Sequence, residues 1–353
     1  MPDFYGGGAE RVFCTLANGL AHKYQVLLFV DFNRGPNAKT LSHSIKVVEL
    51  AQKNNLKSTF SLIKKLRIHR PDFIISGIGL SNIKSFLALI LLGQARKLIL
   101  TYHCLFSRDI GWGSKLTYYF AFFLTRFSLK TICVSQDIKS ELCKKYYSSA
   151  KKLTVISNPF DIKHIQDKSN QWQDLDEITA QTESPIVLAI GRLVPEKGYD
   201  VLIKAFARLK KQMPCQLIFL GQGELKDKLI RLTYELGVDE DVQFLGYVDN
   251  PFVYLKKAAV HAISSHCEGF GNTIVESLIV GTPVVSTNCP GGPKEILDRG
   301  KYGALTKTGS IEELSDAIRN AILKPPEKEF LLARGREFSV QNIVERYEHL
   351  IVE

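Results

Sequence analysis

Glu268 and Glu276 stand eight positions apart in His266-Cys267-Glu268-Gly269-Phe270-Gly271-Asn272-Thr273-Ile274-Val275-Glu276. Were every step helical, the carboxylates would lie roughly 12 Å apart. That is too far to share a proton, so the pair reads as two separate hydroxyl-binding groups rather than an acid/base dyad. An apolar strand pattern, Val260-His261-Ala262-Ile263-Ser264, precedes them, and a helical pattern (Ile274, Val275, Leu278, Ile279) follows. The first amides of a helix lack intrahelical partners and carry the positive end of its dipole, so a glycine loop opening a helix is a place for an anion. Asn272 or Thr273 is the expected cap, and Glu276 is expected in the first turn. Phosphates in the middle of a ligand with hydroxyls at both ends suit this arrangement, as in a nucleotide sugar. A plain helix start with a capping glutamate suits the same residues.

A second loop carries the cations. Gly191-Arg192-Leu193-Val194-Pro195-Glu196-Lys197-Gly198 follows the strand pattern Ile186 to Ile190. A guanidinium fork and an ammonium on one turn are a usual means of holding a diphosphate, and they remove the need for a metal. No Asp-x-Asp pair stands in a matching place; Asp174-Leu175-Asp176 falls in a polar stretch. The competing reading of Arg192 and Lys197 is a solvated helix start. Near the beginning, Gly6-Gly7-Gly8-Ala9-Glu10-Arg11 opens a helical pattern (Val12, Leu16, Leu20) and can bring amides to a phosphate. Such a loop normally follows a strand. None precedes it here, so a first strand of the sheet is expected to be missing from this sequence. His103 ends the strand pattern Lys97 to Tyr102 and is either a satisfied interior histidine or a sugar contact.

The elements that must place these residues are short apolar runs alternating with helical patterns, twice over. Such an alternation means parallel sheets with helices on both faces, and ligands bind beyond the carboxyl ends of their strands. In the first half, the helical pattern Lys57 to His69 puts Phe60, Ile63 and Leu66 on one face, and Trp112 to Leu129 reads as one aromatic-rich helix. That helix is either core or, with Lys115, Arg126 and Lys130, a membrane-facing element. Asn158-Pro159 breaks the pattern, and residues 161–184 read as a polar connector. The expected division is an α/β chain of two doubly wound domains, 1–160 and 185–336, the linker 161–184 between them, and a terminal helix 337–353 crossing back to the first.

Composition narrows the class. The chain has 353 residues, 45% hydrophobic and 23% charged, which is ordinary for a globular protein of two domains. Its seven cysteines show no ligand spacing, which points to a reducing compartment. Residues 1–158 hold 23 Lys+Arg against 8 Asp+Glu, and the remainder hold 23 against 28. So basic a first half is expected to seek a polyanion or an anionic lipid surface; no nucleic-acid motif accompanies it.

The two loops together, Glu268 to Glu276 and Gly191 to Gly198, resemble the retaining family 4 glycosyltransferases of GT-B fold. Gly6 to Arg11 looks like their N-terminal glycine loop, and Ile156-Ser157-Asn158-Pro159 like their domain junction. The resemblance implies two Rossmann-like domains facing each other across a cleft. It implies transfer of a hexose or N-acetylhexosamine, with retention, from a UDP- or GDP-linked donor and without a cofactor. It assigns the ribose hydroxyls to Glu276, the donor sugar to Glu268 and His103, and the diphosphate to Arg192 and Lys197. Loop contacts come from Gly191, Phe270, Gly271, Asn272, Thr273, Gly7 and Gly8. The form of the loops looks most like bacterial enzymes of lipopolysaccharide and surface polysaccharide assembly. The implied acceptor is a lipid-linked saccharide, at the cytoplasmic face of the inner membrane. An epimerase or phosphorylase of the same architecture and a non-catalytic nucleotide-sugar binder are the alternatives.

Overall fold

The computed structural model describes residues 1–5, 7–77, 80–105, 120–175 and 183–352. The chain divides into two compact units, Met1–Phe160 with Phe338–Glu353, and Asp161–Glu337.

In the first unit, β1 (Leu27–Val30) pairs in parallel with β2 (Lys46–Glu49). A separate parallel sheet runs in the order β3 (Ile74–Ser76), β4 (Leu98–Tyr102), β5 (Lys130–Cys133), β6 (Leu153–Val155). Helices α1 (Gly8–Leu20), α2 (Asn55–His69), α3 (Leu80–Leu91), α4 (Ala121–Phe127) and α5 (Gln136–Tyr146) connect them. Side-chain caps set two helix starts: Asn54 accepts from the amides of Leu56 and Lys57, and Ser135 from that of Ile138. Leu16 and Leu20 of α1 share a core with Ile99, Ile132 and Ile156 of the strands and with Ile343, Val344 and Tyr347 of the tail.

One expectation changes here, and a second is met only over its described part. Phe60 is 63% exposed, and the buried face of α2 is Thr59, Leu62, Ile63 and Leu66. Steps of three drift by about 60° each on a helix of 3.6 residues per turn, so Phe60 and Leu66 cannot share a narrow stripe. Of the aromatic stretch expected from Trp112 to Leu129, residues 112–119 lie outside the described residues. The described part is a helix over Ala121–Phe127 in which Leu124 is buried and Phe123 and Phe127 are about half exposed.

The second unit holds one parallel sheet in the order β12-β11-β10-β7-β8-β9: β7 (Ile186–Ile190), β8 (Gln216–Leu220), β9 (Val242–Gly246), β10 (Val260–Ile263), β11 (Val284–Thr287) and β12 (Ala304–Thr306). The last is not expected from the sequence: it carries one large apolar residue, Leu305, between Gly303 and Lys307, and so shows no apolar run. The expected connector is partly structured. Residues 162–169 form α6 (Ile162–Ser169), capped by Asp161 and seated through buried Ile165, and Gln166 donates to the carbonyl of Ile279. Two turns with few apolar residues give too little pattern to read as a helix. Residues 176–182 lie outside the described residues. The helices that follow are α7 (Tyr199–Lys210), α8 (Lys226–Leu236), α9 (Pro251–Lys257), α10 (Asn272–Val280), α11 (Pro293–Ile296), α12 (Ile311–Leu323) and α13 (Lys328–Arg336). The terminal α14 (Val340–Val352) belongs to the first unit and packs on α1. Among the described residues no helix is long and apolar enough to cross a membrane.

Candidate functional site

Strand order in the second unit reverses between β7 and β10: the chain runs outward through β8 and β9, then returns and runs outward again through β11 and β12. Helices leaving the two central strands go to opposite faces, which opens a crevice at their carboxyl ends. The loops that leave β7 and β10 are the two singled out from the sequence.

Their backbones are tied together. The amide of His266 donates to the carbonyl of Glu196 at 2.8 Å, and Ser264 Oγ to the carbonyl of Lys197 at 2.8 Å. The Glu268 amide donates to the Pro290 carbonyl at 3.0 Å, and Thr287 Oγ1 to the Ser265 carbonyl at 2.5 Å. On the other flank, the amides of Gly191 and Leu193 reach the carbonyls of Leu220 and Gln222. Gly198 sits at φ +57°, with the Ser264 carbonyl where a β-carbon would go. That conformation and that close approach both require glycine.

At the centre, Lys197 Nζ meets Glu268 Oε1 at 2.6 Å, and Ser265 Oγ donates to the same oxygen at 2.6 Å. Their side chains are only 22% and 12% exposed, so the ion pair is shielded but reachable. Both bonds fall on Oε1, which leaves Oε2 of Glu268 open to a ligand among the described residues. An ammonium has three donors, so Lys197 can hold Glu268 and a phosphate oxygen together. Arg192 is exposed on the same loop.

The expected helix cap is corrected. Gly271, at φ +101°, occupies the N-cap position without a side-chain cap, and Asn272 and Thr273 are the first two helical residues. A glycine takes this left-handed position at no steric cost, which Asn or Thr would not. Glu276 therefore falls beyond the first turn and is 2% exposed. Phe270 is 5% exposed and its carbonyl packs against Gly292, so its ring anchors the loop. Gly191, Arg192, Lys197, Glu268, Phe270, Gly271, Asn272, Thr273 and Glu276 thus lie on two loops and one helix start around the central strands.

Three residues here escaped the sequence reading. Ser265, a plain loop serine, braces Glu268. Tyr199 packs edge-on against Phe219 at 5.0 Å, and its hydroxyl is buried without a hydrogen-bond partner among the described residues. Burial pushes that phenol well above its usual range. His261, fully buried in β10, holds Ser277 Oγ through Nδ1 at 2.7 Å. Ser277 gives its own proton to the Thr273 carbonyl, so the ring donates from Nδ1. Burial, with the nearby Lys197 charge, lowers its pKa to about 3. Only a histidine interrupting an apolar strand marked it in sequence.

The other candidates belong to the first unit. His103 follows β4, with Nε2 3.0 Å from Thr101 Oγ1 and its ring 5.5 Å from that of Phe13 in α1. Burial lowers its pKa to about 4, against an opposing hydrogen bond with Asn158. Gly7 and Gly8 start α1; a β-carbon on Gly7 would meet open space. Gly6 lies outside the described residues. Among the described residues no cluster of three or more His, Cys, Asp or Glu side chains could hold a metal ion.

Comparison with known proteins places this geometry. The family model described as Glycosyltransferase Family 4 matches residues 6–164, and that described as Glycosyl transferases group 1 matches residues 170–338. An uncharacterized glycosyltransferase of Methanocaldococcus jannaschii is 30% identical over 337 residues, covering 84% of this chain and 83% of that protein. The N-acetylgalactosamine-N,N'-diacetylbacillosaminyl-diphospho-undecaprenol 4-alpha-N-acetylgalactosaminyltransferase of Campylobacter jejuni is 26% identical, covering 90% of this chain and 87% of that one. An Anabaena protein crystallised with UDP and glucose superposes with a TM-score of 0.81 at 23% identity, over 98% of this chain and 96% of that chain. The fold is GT-B, with two Rossmann-like units, and the chain belongs to the group 1/family 4 glycosyltransferases.

Proposed function

We propose that this glycosyltransferase moves a hexose or N-acetylhexosamine from a nucleotide-diphosphate sugar to a lipid-linked saccharide, with retained anomeric configuration, in surface polysaccharide assembly. The observation that carries the donor part is the Lys197–Glu268 pair at the point where the strand order of the second unit reverses. Lys197 and Arg192 take the diphosphate, and their two fixed charges stand in for a divalent metal. Oε2 of Glu268 accepts from a hydroxyl of the donor sugar, and Glu276 holds the ribose. The leaving phosphate takes the proton of the attacking acceptor hydroxyl. The assignment of His103 to the transferred sugar rests on the family resemblance alone.

The acceptor part is supported by the Campylobacter jejuni relative, whose name specifies a diphospho-undecaprenol-linked saccharide, and by the surface of the first unit. There α3 and α4 pack together and expose Leu87, Ile90, Leu91, Phe123 and Phe127. Lys152 stands beside them near Arg96 and Arg126, whose like charges, after burial, lower its pKa. An apolar patch with a basic edge suits the face of an anionic bilayer, which supports a peripheral position at the cytoplasmic face of the inner membrane.

UDP or GDP should raise the melting temperature by several degrees, and EDTA should leave turnover unchanged. A panel of nucleotide sugars with a lipid-linked acceptor mixture, scored by nucleotide release, then identifies the donor. If neither nucleotide stabilises the protein, the donor assignment is wrong.

A further inference from the structure

His261 is a polar residue in a place that burial alone would give to an apolar one. It lies in β10, a central strand bonded on one side to β7 and on the other to β11, where it pairs with Leu188 and Val284. Its neighbours Val260, Ala262 and Ile263 are apolar and buried, and its own side chain is fully buried. One ring nitrogen is used: Nδ1 donates to Ser277 Oγ. The other, Nε2, is buried without a hydrogen-bond partner among the described residues. A buried polar atom left unpaired costs more than one intramolecular hydrogen bond returns. The ring therefore serves stability less well than a leucine would.

What the bond does is fix α10. Ser277 in turn donates to the Thr273 carbonyl at 2.8 Å, one turn earlier. A line of two bonds thus runs from a central strand into the first turn of the helix. That turn has no side-chain cap, because its N-cap is Gly271. Ile274, Val275, Leu278, Ile279 and Val280 are all buried and spread round the helix. Apolar burial is non-directional, so it does not select one rotation of such a helix; the polar tie does. Consecutive helical residues project about 100° apart. With Ser277 held against β10, the direction in which Glu276 leaves the helix is set as well. A rotation by one residue would bring Val275 or Ser277 to its place.

We infer that His261 is a positioning residue for the nucleotide ribose: through Ser277 it fixes the rotation of α10 that presents Glu276 to the ribose hydroxyls. It rests on the ribose role proposed for Glu276 and adds what holds that carboxylate in place.

The test compares UDP with its 2′-deoxy form, and GDP with its own, by titration calorimetry. The parent should bind the ribonucleotide of at least one pair about tenfold more tightly or better, the scale of one hydrogen bond to a charged group. His261→Leu should bring the two dissociation constants of that pair within about threefold of each other, while melting without ligand at or above the parent's temperature. His261→Asn can donate to Ser277 from the place of Nδ1 and should restore the preference. Ser277→Ala should lose it as His261→Leu does. Alanine is the best helix former, so this variant reads the same link even where the leucine variant does not fold. Undiminished preference in His261→Leu and Ser277→Ala overturns the inference and leaves the ribose role of Glu276 standing. A parent that binds both forms alike overturns that role and the inference with it. A lowered melting temperature with both forms weakened equally marks a structural residue and overturns the inference alone. So does a preference lost as fully in His261→Asn as in His261→Leu, because the ring's shape and not its hydrogen bond would then be the cause.

Discussion

The two units share one plan, short parallel strands with helices on both faces, but their strand-end loops are made differently. In the second unit the loops after β7 and β10 are bonded to one another, and the latter also to the loop after β11. A glycine backbone presses on a neighbouring carbonyl at Gly198, Gly291 and Gly292. At the start of α1 in the first unit, a β-carbon on Gly7 would meet open space, and Gly7 as N-cap has no side chain to cap with. The six-stranded sheet is continuous, whereas the first unit is divided into sheets of two and four strands. The comparison teaches where preorganisation lies. Dipoles and charges fixed before a ligand arrives cost no reorganisation on binding, and the Lys197–Glu268 pair is held by such a frame.

The strongest way to break that comparison is to remove the charge at its centre. Lys197→Ala should lower kcat/KM about 100- to 1000-fold, the scale of losing one fixed electrostatic group at a reacting centre. It should also abolish the nucleotide-induced rise in melting temperature, measured by differential scanning fluorimetry. Glu268→Gln keeps an oxygen for Ser265 but loses the charge that pairs with Lys197. It should lower kcat more than it weakens nucleotide binding. Equal loss of both would move Glu268 from the sugar to the diphosphate.

Next in size is the frame. Gly198→Ala adds a β-carbon at φ +57° against the Ser264 carbonyl. Left-handed backbone costs about 1–2 kcal/mol for an L-residue, and displacing the Ser264 carbonyl adds to this, so about 2–4 kcal/mol is expected. Urea unfolding should show the loss, with nucleotide affinity falling in step as the β7 and β10 loops part. Normal stability with lost affinity would mean that the loops are not braced by this contact.

A smaller effect separates the units by pH. His103 and His261 have folded pKa values of about 4 and about 3, below the unfolded value of 6.5. Between these limits the unfolded chain binds protons that the native chain does not. Stability therefore falls as pH drops from about 6.5, by at most about 1.4 kcal/mol per pH unit for each histidine. Loss through His103 ends near pH 4, and loss through His261 continues to about pH 3. His103→Gln should flatten the fall in stability between about pH 6.5 and about pH 4, read as a smaller drop in melting temperature from about pH 7 to about pH 5 than in the parent. An unchanged profile would mean that His103 takes up its proton in the folded state.

Much of this was legible in the sequence because it is local. The alternation of apolar runs placed all but one strand, and residue type with spacing marked Glu268, Lys197 and the glycines between. What was not legible depends on distant partners. Glu268 meets Lys197 across 71 positions, and no pattern in either loop says that they touch. The buried pair of Lys84 and Asp31, with Ser58 also bonded to Asp31, joins α3 and α2 to the end of β1; each residue alone reads as solvated surface. Asn272 reads as a cap by type, yet the left-handed turn one residue earlier gives that place to Gly271. His261 was passed over because its meaning comes from Ser277 on the following helix.

The smallest expected effect sharpens the comparison most directly. Gly7→Ala has room for its β-carbon, and its backbone, at φ −84° and ψ −154°, is open to any residue. Losing glycine at an N-cap costs a few tenths of a kcal/mol at most when the newcomer cannot cap, and a stiffer unfolded chain offsets about as much. Urea unfolding should therefore place Gly7→Ala within about 0.5 kcal/mol of the parent, against the several-fold larger loss for Gly198→Ala. A large loss of stability would show that α1 starts under a steric constraint and that the two glycine loops are alike. Unchanged stability with reduced turnover would instead show that the backbone at Gly7 must approach a ligand closely, a requirement of substrate and not of fold.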